Sequence, residues 1–232
     1  MVLLDELFAL AVPPRCAVCH APGGRPGHVL CAACRRALPW LGDACCPRCA
    51  LPLPHARGHC PAAGAAFDAA WAAVAYEGAG RDVLLALKFS AARPLARVMA
   101  AQIAAVAPRA LLAPGATLVA VPAHPRRRRA RGFDPAELIT VALARRSGLP
   151  LARPLRRGSG TSRQVGASRA TRRAAAQLDF RVGGRAPAHA VLVDDVQTTG
   201  ATADACAAAL RRAGCRRIAV VTWARTLDVR LH

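Results

Sequence analysis

Beyond residue 68, the hydrophobic residues follow two alternating patterns. Short runs that are apolar at nearly every position predict buried strands at 69–76, 117–121, 190–193 and 217–223. Between these runs apolar residues recur every three or four positions, which predicts helices at 80–90, 94–107, 134–147 and 201–213. Strands that are apolar throughout and alternate with helices are typical of a parallel sheet covered on both faces. The sequence therefore predicts an α/β domain.

The N-terminal part has a different pattern. Residues 1–15 predict a short amphipathic helix, whereas 16–62 are interrupted by cysteine, proline and glycine, as in loops and small hairpins held by metal. We place a boundary near Pro61, which predicts a small module at 1–62 and the α/β domain at 63–232. Residues 157–175, rich in arginine, serine and glycine, predict a mobile loop that leads into a short helix.

Eight of the ten cysteines lie between Cys16 and Cys60. Such crowding arises from disulfides in secreted proteins or from metal ligation in reducing compartments. The N-terminus carries Asp5 and Glu6 where a signal peptide needs basic residues, and no uncharged apolar run approaches the ~20 residues of a membrane span. We therefore expect a cytoplasmic protein without a transmembrane segment, in which reduced cysteines bind metal.

The spacing of four cysteines predicts a structural zinc site. Two residues separate Cys16 from Cys19, two separate Cys31 from Cys34, and eleven lie between the pairs. Two thiolate pairs at this spacing give a closed tetrahedral Zn²⁺ site with no open position for water.

A second zinc site is incomplete in the sequence. Cys46 and Cys49 form a third pair of the same kind. Cys60 supplies another thiolate, but Arg57 stands where its partner cysteine would be expected. Whether the module holds one zinc ion or two therefore stays open at this point.

The fourth ligand of the second site also has several candidates. We assign His59 to this position, with His55 and Cys45 as alternatives. Cys206 and Cys215 stand apart from these pairs, and we assign both to packing in the α/β domain.

The charge balance narrows the class of partner. Lysine and arginine number 33 against 13 acidic residues, a formal net charge of +20, and Lys88 is the only lysine. Such a surplus indicates phosphate ligands, nucleic acid or an acidic membrane surface, with a solvated basic surface as the alternative. Aromatic residues make up only 4% of the chain, which weakens a site built on base stacking.

The most informative segment spans 191–202 and reads VLVDDVQTTGAT. A buried strand leads to two carboxylates, then a turn of hydroxyls and glycine, then a helix. In open parallel sheets ligands bind beyond the carboxyl ends of the strands, and such a turn before a helix binds phosphate. The predicted phosphate ligands are Thr198, Thr199, Gly200, Ala201 and Thr202.

The paired acids suggest what is attached to that phosphate. Asp194 and Asp195 would repel a bare phosphate, but carboxylates accept hydrogen bonds from ribose hydroxyls and help to hold Mg²⁺. The order of residues therefore indicates a ribose that carries a 5-phosphate. The alternative is a capped helix with two solvated acids.

A cluster of arginines follows another predicted strand. Arg126 and Arg127 lie just beyond the strand at 117–121, in a segment interpreted as a loop. Guanidinium groups at this edge of a sheet suit bidentate contact with pyrophosphate oxygens. The alternatives are an exposed basic surface or a nucleic-acid patch.

These features together resemble a known family. The segment 191–202 resembles the phosphoribosyl-pyrophosphate signature of type I phosphoribosyltransferases, and the chain as a whole resembles the ComF family of competence-associated proteins. The similarity covers nearly the whole chain and includes the cysteine pairs, Leu87-Lys88-Phe89, the segment 121–126, Arg131-Gly132-Phe133 and the stretch 164–169.

The resemblance implies a type I phosphoribosyltransferase fold preceded by a zinc-ribbon module. It further implies binding of 5-phosphoribosyl-1-pyrophosphate with Mg²⁺, with Asp194 and Asp195 as catalytic residues and Arg126 and Arg127 on the pyrophosphate. A nitrogen base would displace pyrophosphate from the ribose C1. The stretch 161–169 resembles the family's flexible loop, which would close over the reacting centre.

The sequence departs from the family at several positions. Asp134 and Pro135 stand where the family usually has asparagine and glutamine, and this pair also suits the N-cap and first position of a helix. Ala167 and Ala174 replace residues of the flexible loop.

Three functions follow from these patterns. The first is a phosphoribosyltransferase in DNA uptake or nucleotide metabolism. The second is a competence adaptor that binds single-stranded DNA, and the third is a sensor that binds the sugar pyrophosphate without turnover. The acceptor, the oligomeric state and catalysis itself are left open by the sequence.

Overall fold

The core of the molecule is a parallel sheet of five strands in the order β1-β7-β6-β2-β3. The computed structural model describes residues 15–22, 29–56, 58–90, 92–157 and 178–227. The strands of this sheet are β1 (Ala69–Ala75), β2 (Thr117–Ala120), β3 (Leu151–Ala152), β6 (His189–Gln197) and β7 (Arg217–Arg225). Two further strands, β4 (Leu155–Arg157) and β5 (Phe180–Val182), form a separate antiparallel pair.

Among the described residues one helix precedes β1, and five lie between the parallel strands. They are α1 (Ala32–Arg36), α2 (Gly78–Phe89), α3 (Leu95–Val106), α4 (Pro125–Arg131), α5 (Pro135–Ser147) and α6 (Ala201–Arg212). Alternate residues of a strand point to opposite faces of its sheet. On one face Val191 and Val193 pack with α2, α3 and α5 in a first hydrophobic cluster. On the other face Leu192 packs with α6 in a second hydrophobic cluster.

The cysteine-rich segment covers the edge of this sheet. The N–H of Leu41 donates to the carbonyl of Ala73 at 2.9 Å, and the N–H of Ala75 donates to the carbonyl of Pro39 at 2.8 Å. These bonds pair residues 39–41 antiparallel with the edge strand β1. They give hydrogen-bond partners to the carbonyl of Ala73 and the N–H of Ala75 on the open edge of the sheet.

Two turns of the cysteine-rich segment have the same backbone geometry. The N–H of His20 donates to the carbonyl of Cys16, and the N–H of Ala50 donates to the carbonyl of Cys46. Both turns contain a residue of positive φ, His20 at 57° and Ala50 at 60°. The two turns are therefore structural repeats thirty residues apart, as the sequence spacing indicates.

The α/β prediction is confirmed, and most predicted elements agree with the structure within two residues. Two corrections concern the site. The strand predicted at 190–193 runs on to Gln197, so that both aspartates lie within it. The arginine segment interpreted as a loop forms α4, where His124 Nδ1 accepts from the N–H of Arg126.

Some predictions fall on residues that the structure does not describe. These are the helix at 1–15, of which only Arg15 is described, and nearly all of the loop at 157–175. In the described ranges, no helix has the length and the apolar character needed to cross a bilayer. The boundary near Pro61 stays a prediction.

Asp134 connects β2 to α5 and should stabilise the fold. As predicted it is the N-cap of α5, because its Oδ1 accepts from the N–H of Ala136 at 3.1 Å. Its Oδ2 accepts from the N–H of Ala123 at 2.8 Å. We expect Asp134→Ala to lower the free energy of unfolding by about 1–2 kcal/mol, measured by urea denaturation without ligand.

The matched control for this substitution is Asp134→Asn. It keeps a carbonyl oxygen for the helix cap but loses one of the two charged acceptors, so that its cost should be smaller. Equal stability of the alanine variant and the natural protein would contradict this role of Asp134.

Candidate functional site

The order of the strands creates a crevice between β2 and β6. From β2 the chain passes through α5 to β3 on one side, whereas from β6 it passes through α6 to β7 on the other side. The two connections therefore leave neighbouring strands in opposite directions and on opposite faces of the sheet. In open parallel sheets ligands bind at such a switch point, beyond the carboxyl ends of the strands.

A cavity of about 590 Å³ opens at this point. We call it the site cavity. Its wall comes from the ends of β2 and β6 and from α2, α4, α5 and α6. The charged and hydroxyl side chains that line it are Lys88, Arg126, Arg127, Arg131, Asp134, Arg157, Asp194, Asp195, Thr198 and Thr202.

The two aspartates reach the site cavity from opposite faces of β6. Asp195 is buried and faces α2, where Lys88 Nζ lies 3.0 Å from its Oδ1. Asp194 faces the other side, where its charge interacts with Arg157 and with Cys206 of α6. The backbone N–H of Asp195 donates to Asp194 Oδ1 at 2.8 Å, which orients the carboxylate of Asp194.

The surroundings of Asp194 disfavour its charged form. Removal from solvent raises the pKa of Asp194 well above its usual range, and the neighbouring charge of Asp195 raises it further. Burial also raises the pKa of Asp134, against the effect of its backbone hydrogen bonds. A bound cation or a pair of hydroxyl donors would favour the charged carboxylates.

The turn between β6 and α6 forms another wall. Gly200 is the N-cap of the twelve-residue helix α6 at φ 87°, and Thr198 and Thr202 line the site cavity on either side of it. Thr199 Oγ1 accepts from the N–H of Ala201 at 3.3 Å. The positive φ favours glycine here, and a Cβ at Gly200 would make a tight contact of 3.1 Å with Gln197 Nε2.

The basic wall belongs to α4. Arg126 and Arg127 are exposed on this helix and line the site cavity, together with Arg131. Arg157 faces them from β4 and stacks over Phe180, with its guanidinium carbon 5.0 Å from the ring centroid. Burial lowers the pKa of Arg157, but a guanidinium stays charged at neutral pH.

Sequence reasoning missed three side chains that line the site cavity. In the sequence Lys88 stands out as the only lysine and as part of a resemblance, but neither feature assigns it to the site. The sequence pattern indicates only a helix cap for Asp134 and the start of a loop for Arg157. No pattern in the sequence indicates that α2, α5 and β4 meet at this edge.

A basic groove adjoins the site cavity on the outer side of α4. Its arginines are Arg128, Arg129, Arg153, Arg156 and Arg157, and its floor includes Pro122 and Leu155. Pro122, Ala123 and Arg157 line both spaces, so that the groove is continuous with the site cavity. Arg153 is paired with Glu137 at 2.5 Å.

The first cysteine cluster has the geometry of a structural zinc site. The Sγ atoms of Cys16 and Cys34 lie 3.9 Å apart, and those of Cys19 and Cys31 lie 3.7 Å apart. A tetrahedral zinc with Zn–S bonds of about 2.3 Å requires sulfur atoms about 3.8 Å apart. The four predicted ligands therefore fit zinc without rearrangement.

The second cluster contains Cys46, Cys49, Cys60 and His55. Cys46 Sγ lies 3.8 Å from Cys60 Sγ, and Cys49 Sγ lies 3.3 Å from His55 Nε2. The structure thus brings His55 into the set in place of His59, which corrects our assignment of the fourth ligand.

Cys45 does not belong to the second cluster either. In the repeated turns it corresponds to Arg15, since Arg15 pairs with Pro22 and Cys45 pairs with Pro52. Its place in the repeat explains why it lies outside the ligand set. Cys206 and Cys215 are buried in the second hydrophobic cluster, as the packing assignment predicts.

The thiols of the first cluster cannot all be charged without a cation. Burial alone would raise the pKa of Cys16, but backbone N–H groups of Cys31, Cys19 and Val18 outweigh it and lower the pKa to about 6. Burial raises the pKa of Cys34, and hydrogen bonds within the cluster and the Cys16 charge raise it further. A divalent cation removes this conflict because it binds thiolates and displaces their protons.

The fold and these sites define a class of protein. It is an α/β protein whose five-stranded parallel sheet follows an N-terminal cysteine-rich double zinc ribbon. The crevice at the switch point and the turn at 198–202 are consistent with the type I phosphoribosyltransferase fold.

Comparison with known proteins agrees with this class. Residues 7–64 match the double zinc ribbon domain family. The chain is 29% identical over 230 residues to the DNA utilization protein YhgH of Escherichia coli K12, and 28% identical to that of Shigella flexneri. Each match covers 94% of this chain and 100% of the relative. These findings confirm the resemblance to the ComF family.

The geometry predicts the metal content and distinguishes the two histidines. We expect two zinc ions per chain by elemental analysis of the purified protein. His55→Ala should lose about one of them, because a site with three protein ligands binds structural zinc more weakly. His59→Ala and Cys45→Ala are the matched controls and should keep both ions. Loss of zinc from His59→Ala but not from His55→Ala would contradict the assignment.

Proposed function

We propose that the chain binds 5-phosphoribosyl-1-pyrophosphate with Mg²⁺ in the site cavity and acts in the use or uptake of DNA. The observation that carries the ligand is the placement of two carboxylates, a phosphate-binding turn and a group of arginines around one cavity at the switch point. These three groups match the ribose, the 5-phosphate and the pyrophosphate of one molecule. The DNA context is supported by the name of the relatives, DNA utilization protein.

The turn at 198–202 suits the 5-phosphate. The first N–H groups of a helix lack partners within it, and they carry the positive end of its dipole. Thr198 and Thr202 add hydroxyl donors that face the site cavity. The positive φ of Gly200 allows the backbone to turn sharply against the ligand.

Asp194 and Asp195 suit the ribose. Both line the site cavity beside the turn at 198–202. A ribose held by these carboxylates would therefore have its 5-phosphate next to the turn. Charged carboxylates accept hydrogen bonds from vicinal hydroxyls. Mg²⁺ typically binds one or two carboxylates together with phosphate oxygens, and these residues supply such oxygens. When bound, Mg²⁺ would neutralise part of the pyrophosphate charge.

Arg126 and Arg127 suit the pyrophosphate. They face the aspartates across the site cavity from α4, where guanidinium groups can bind two phosphate oxygens at once. With Lys88, Arg131 and Arg157, five cationic side chains surround three carboxylates. The net charge of the wall therefore favours an anionic ligand.

The proposed function is binding rather than transfer. Among the described residues that line the site cavity, only His124 has an aromatic ring, so that a nitrogen base has few stacking partners there. A sensor or carrier needs only the groups described above. Release of pyrophosphate with a panel of bases measures whether transfer occurs as well.

Binding of the sugar pyrophosphate can be measured by calorimetry with Mg²⁺ present. We expect Asp194→Asn and Asp195→Asn each to weaken binding about ten- to a hundredfold, because each loses a charged acceptor. Asp82→Asn, an exposed acid on α2 away from the site cavity, is the matched control and should bind normally. Unchanged affinity in both site variants would refute the proposed ligand.

A second candidate function is binding of single-stranded DNA in the basic groove beside α4. The continuity of this groove with the site cavity favours a sugar-phosphate chain that runs along it. Affinity that comes from phosphate contacts falls steeply with salt.

The groove can be tested by substitution of its exposed arginines. We expect the double variant Arg128→Gln/Arg129→Gln to weaken DNA binding and to reduce the salt dependence by about two phosphate contacts. Arg145→Gln/Arg146→Gln, an exposed arginine pair at the end of α5, is the matched control. If both pairs have the same effect, binding reflects overall charge and not the groove.

A further inference from the structure

Arg225 is a buried cation between the second cysteine cluster and the turn at 198–202, which we call the phosphate turn. It ends β7 and is only 1% exposed. Its Nε donates to the carbonyl of Cys49 at 3.0 Å, and its Nη1 donates to the carbonyls of Gln197, at 3.0 Å, and Thr198. One guanidinium thus joins a member of the cysteine cluster to the first residues of the turn.

The surroundings of Arg225 are unusual for a buried charge. None of the ion pairs among the described residues includes it, and its partners are backbone carbonyls. Burial lowers the pKa of Arg225 to about 10, so that it is still charged at neutral pH. A buried charge is stable only while its hydrogen bonds are made, which ties the position of each carbonyl to the others.

The turn itself is rigidly connected to these carbonyls. The carbonyl of Gln197 also accepts from the N–H of Thr226 at 3.0 Å. The buried side chain of Gln197 packs against Gly200, where its Nε2 lies 3.1 Å from the position of a Cβ. A displacement of Gln197 therefore displaces Gly200, the N-cap of α6.

We propose that Arg225 is a positioning residue through which metal binding at the second cysteine cluster holds the phosphate turn in its binding conformation. The first cluster lacks this connection, because Cys16 packs in the first hydrophobic cluster on the α2 side of the sheet. Cys46 and Cys49 pack in the second hydrophobic cluster with α6. The two zinc sites are thus inequivalent, and only the second controls the conformation of the phosphate turn.

Hydrogen exchange of the full-length, zinc-loaded protein tests this coupling without any ligand. Cys60→Ser removes a ligand of the second cluster, and Cys19→Ser removes one of the first cluster as the matched control. We expect the amides of Thr226 and Asp204, which donate to the carbonyls of Gln197 and Gly200 in the turn, to exchange about ten- to a hundredfold faster in Cys60→Ser than in the natural protein, and at the natural rate in Cys19→Ser. Elemental analysis verifies that each variant has lost about one zinc ion.

The amides of β2 serve as an internal reference, because a general loss of stability accelerates them as well. Faster exchange confined to the two amides bonded to the turn supports the coupling. Equal acceleration of these amides in both cysteine variants, or none in Cys60→Ser, overturns it.

The role of Arg225 itself is tested by a double-mutant cycle on the same exchange rates. Arg225→Met should free the turn even with both zinc ions bound, and adding Cys60→Ser should then have little further effect. Additive effects of the two substitutions would exclude transmission through Arg225. If Arg225→Met does not fold, the comparison of the two cysteine variants still decides whether the clusters differ.

The effect on ligand binding rests on the proposed function and is measured separately. We expect Cys60→Ser to weaken binding of 5-phosphoribosyl-1-pyrophosphate about tenfold, and Cys19→Ser to leave it unchanged. Absence of binding by the natural protein would refute the proposed ligand but not the coupling, which the exchange rates decide. Normal binding by Cys60→Ser alongside a mobile turn would show that the turn does not hold the ligand.

Discussion

The parallel pairing of β2 with β6 is the constraint on which the site depends. Val121 continues this pairing, since its N–H donates to the carbonyl of Val193 at 2.9 Å, just before the two aspartates. Because the connections leave these strands in opposite directions, a crevice opens at the edge where they end. The acids and the turn meet the arginines of α4 there, although more than sixty residues separate the arginines from the acids in sequence. Any change in this register would move the two walls relative to each other.

Charge is balanced unevenly around that edge. Asp195 has the ammonium group of Lys88 at 3.0 Å. Asp194 lies on the side of the sheet that α6 covers, and burial raises its pKa, which disfavours the charged form. The only lysine of the chain makes the close pair. An ammonium is a compact point charge, whereas a planar guanidinium of larger size would reach further into the cavity. The arrangement therefore leaves one carboxylate neutralised by the protein and the other dependent on what enters the cavity.

Much of the fold could be predicted from sequence, because apolar periodicity reports burial directly. The long buried strands and the four long helices follow from it, and the Asp134-Pro135 pair located the start of α5. The predictions that failed concern features that depend on contacts between residues distant in sequence. The strand β6 extends past its apolar run because Asp194 is paired with Thr222 of β7 and Asp195 with Lys88. The helix α4 consists mainly of arginines and has no apolar face. His55 and His59 each lie two residues from Arg57, where the partner cysteine of Cys60 would be expected, so spacing does not distinguish them. Only the path of the chain after Cys49 does so.

The double zinc ribbon is part of the α/β domain in physical terms. The residues between its two cysteine clusters form hydrogen bonds with the edge strand β1. The clusters themselves contribute to hydrophobic clusters on opposite faces of the same sheet. A module with so few large apolar residues has little core of its own, so that metal and sheet must together supply its stability. Because the second cluster shares its face with α6 and reaches the turn through Arg225, metal binding at one edge of the sheet is physically connected to the ligand site at the carboxyl ends of its strands.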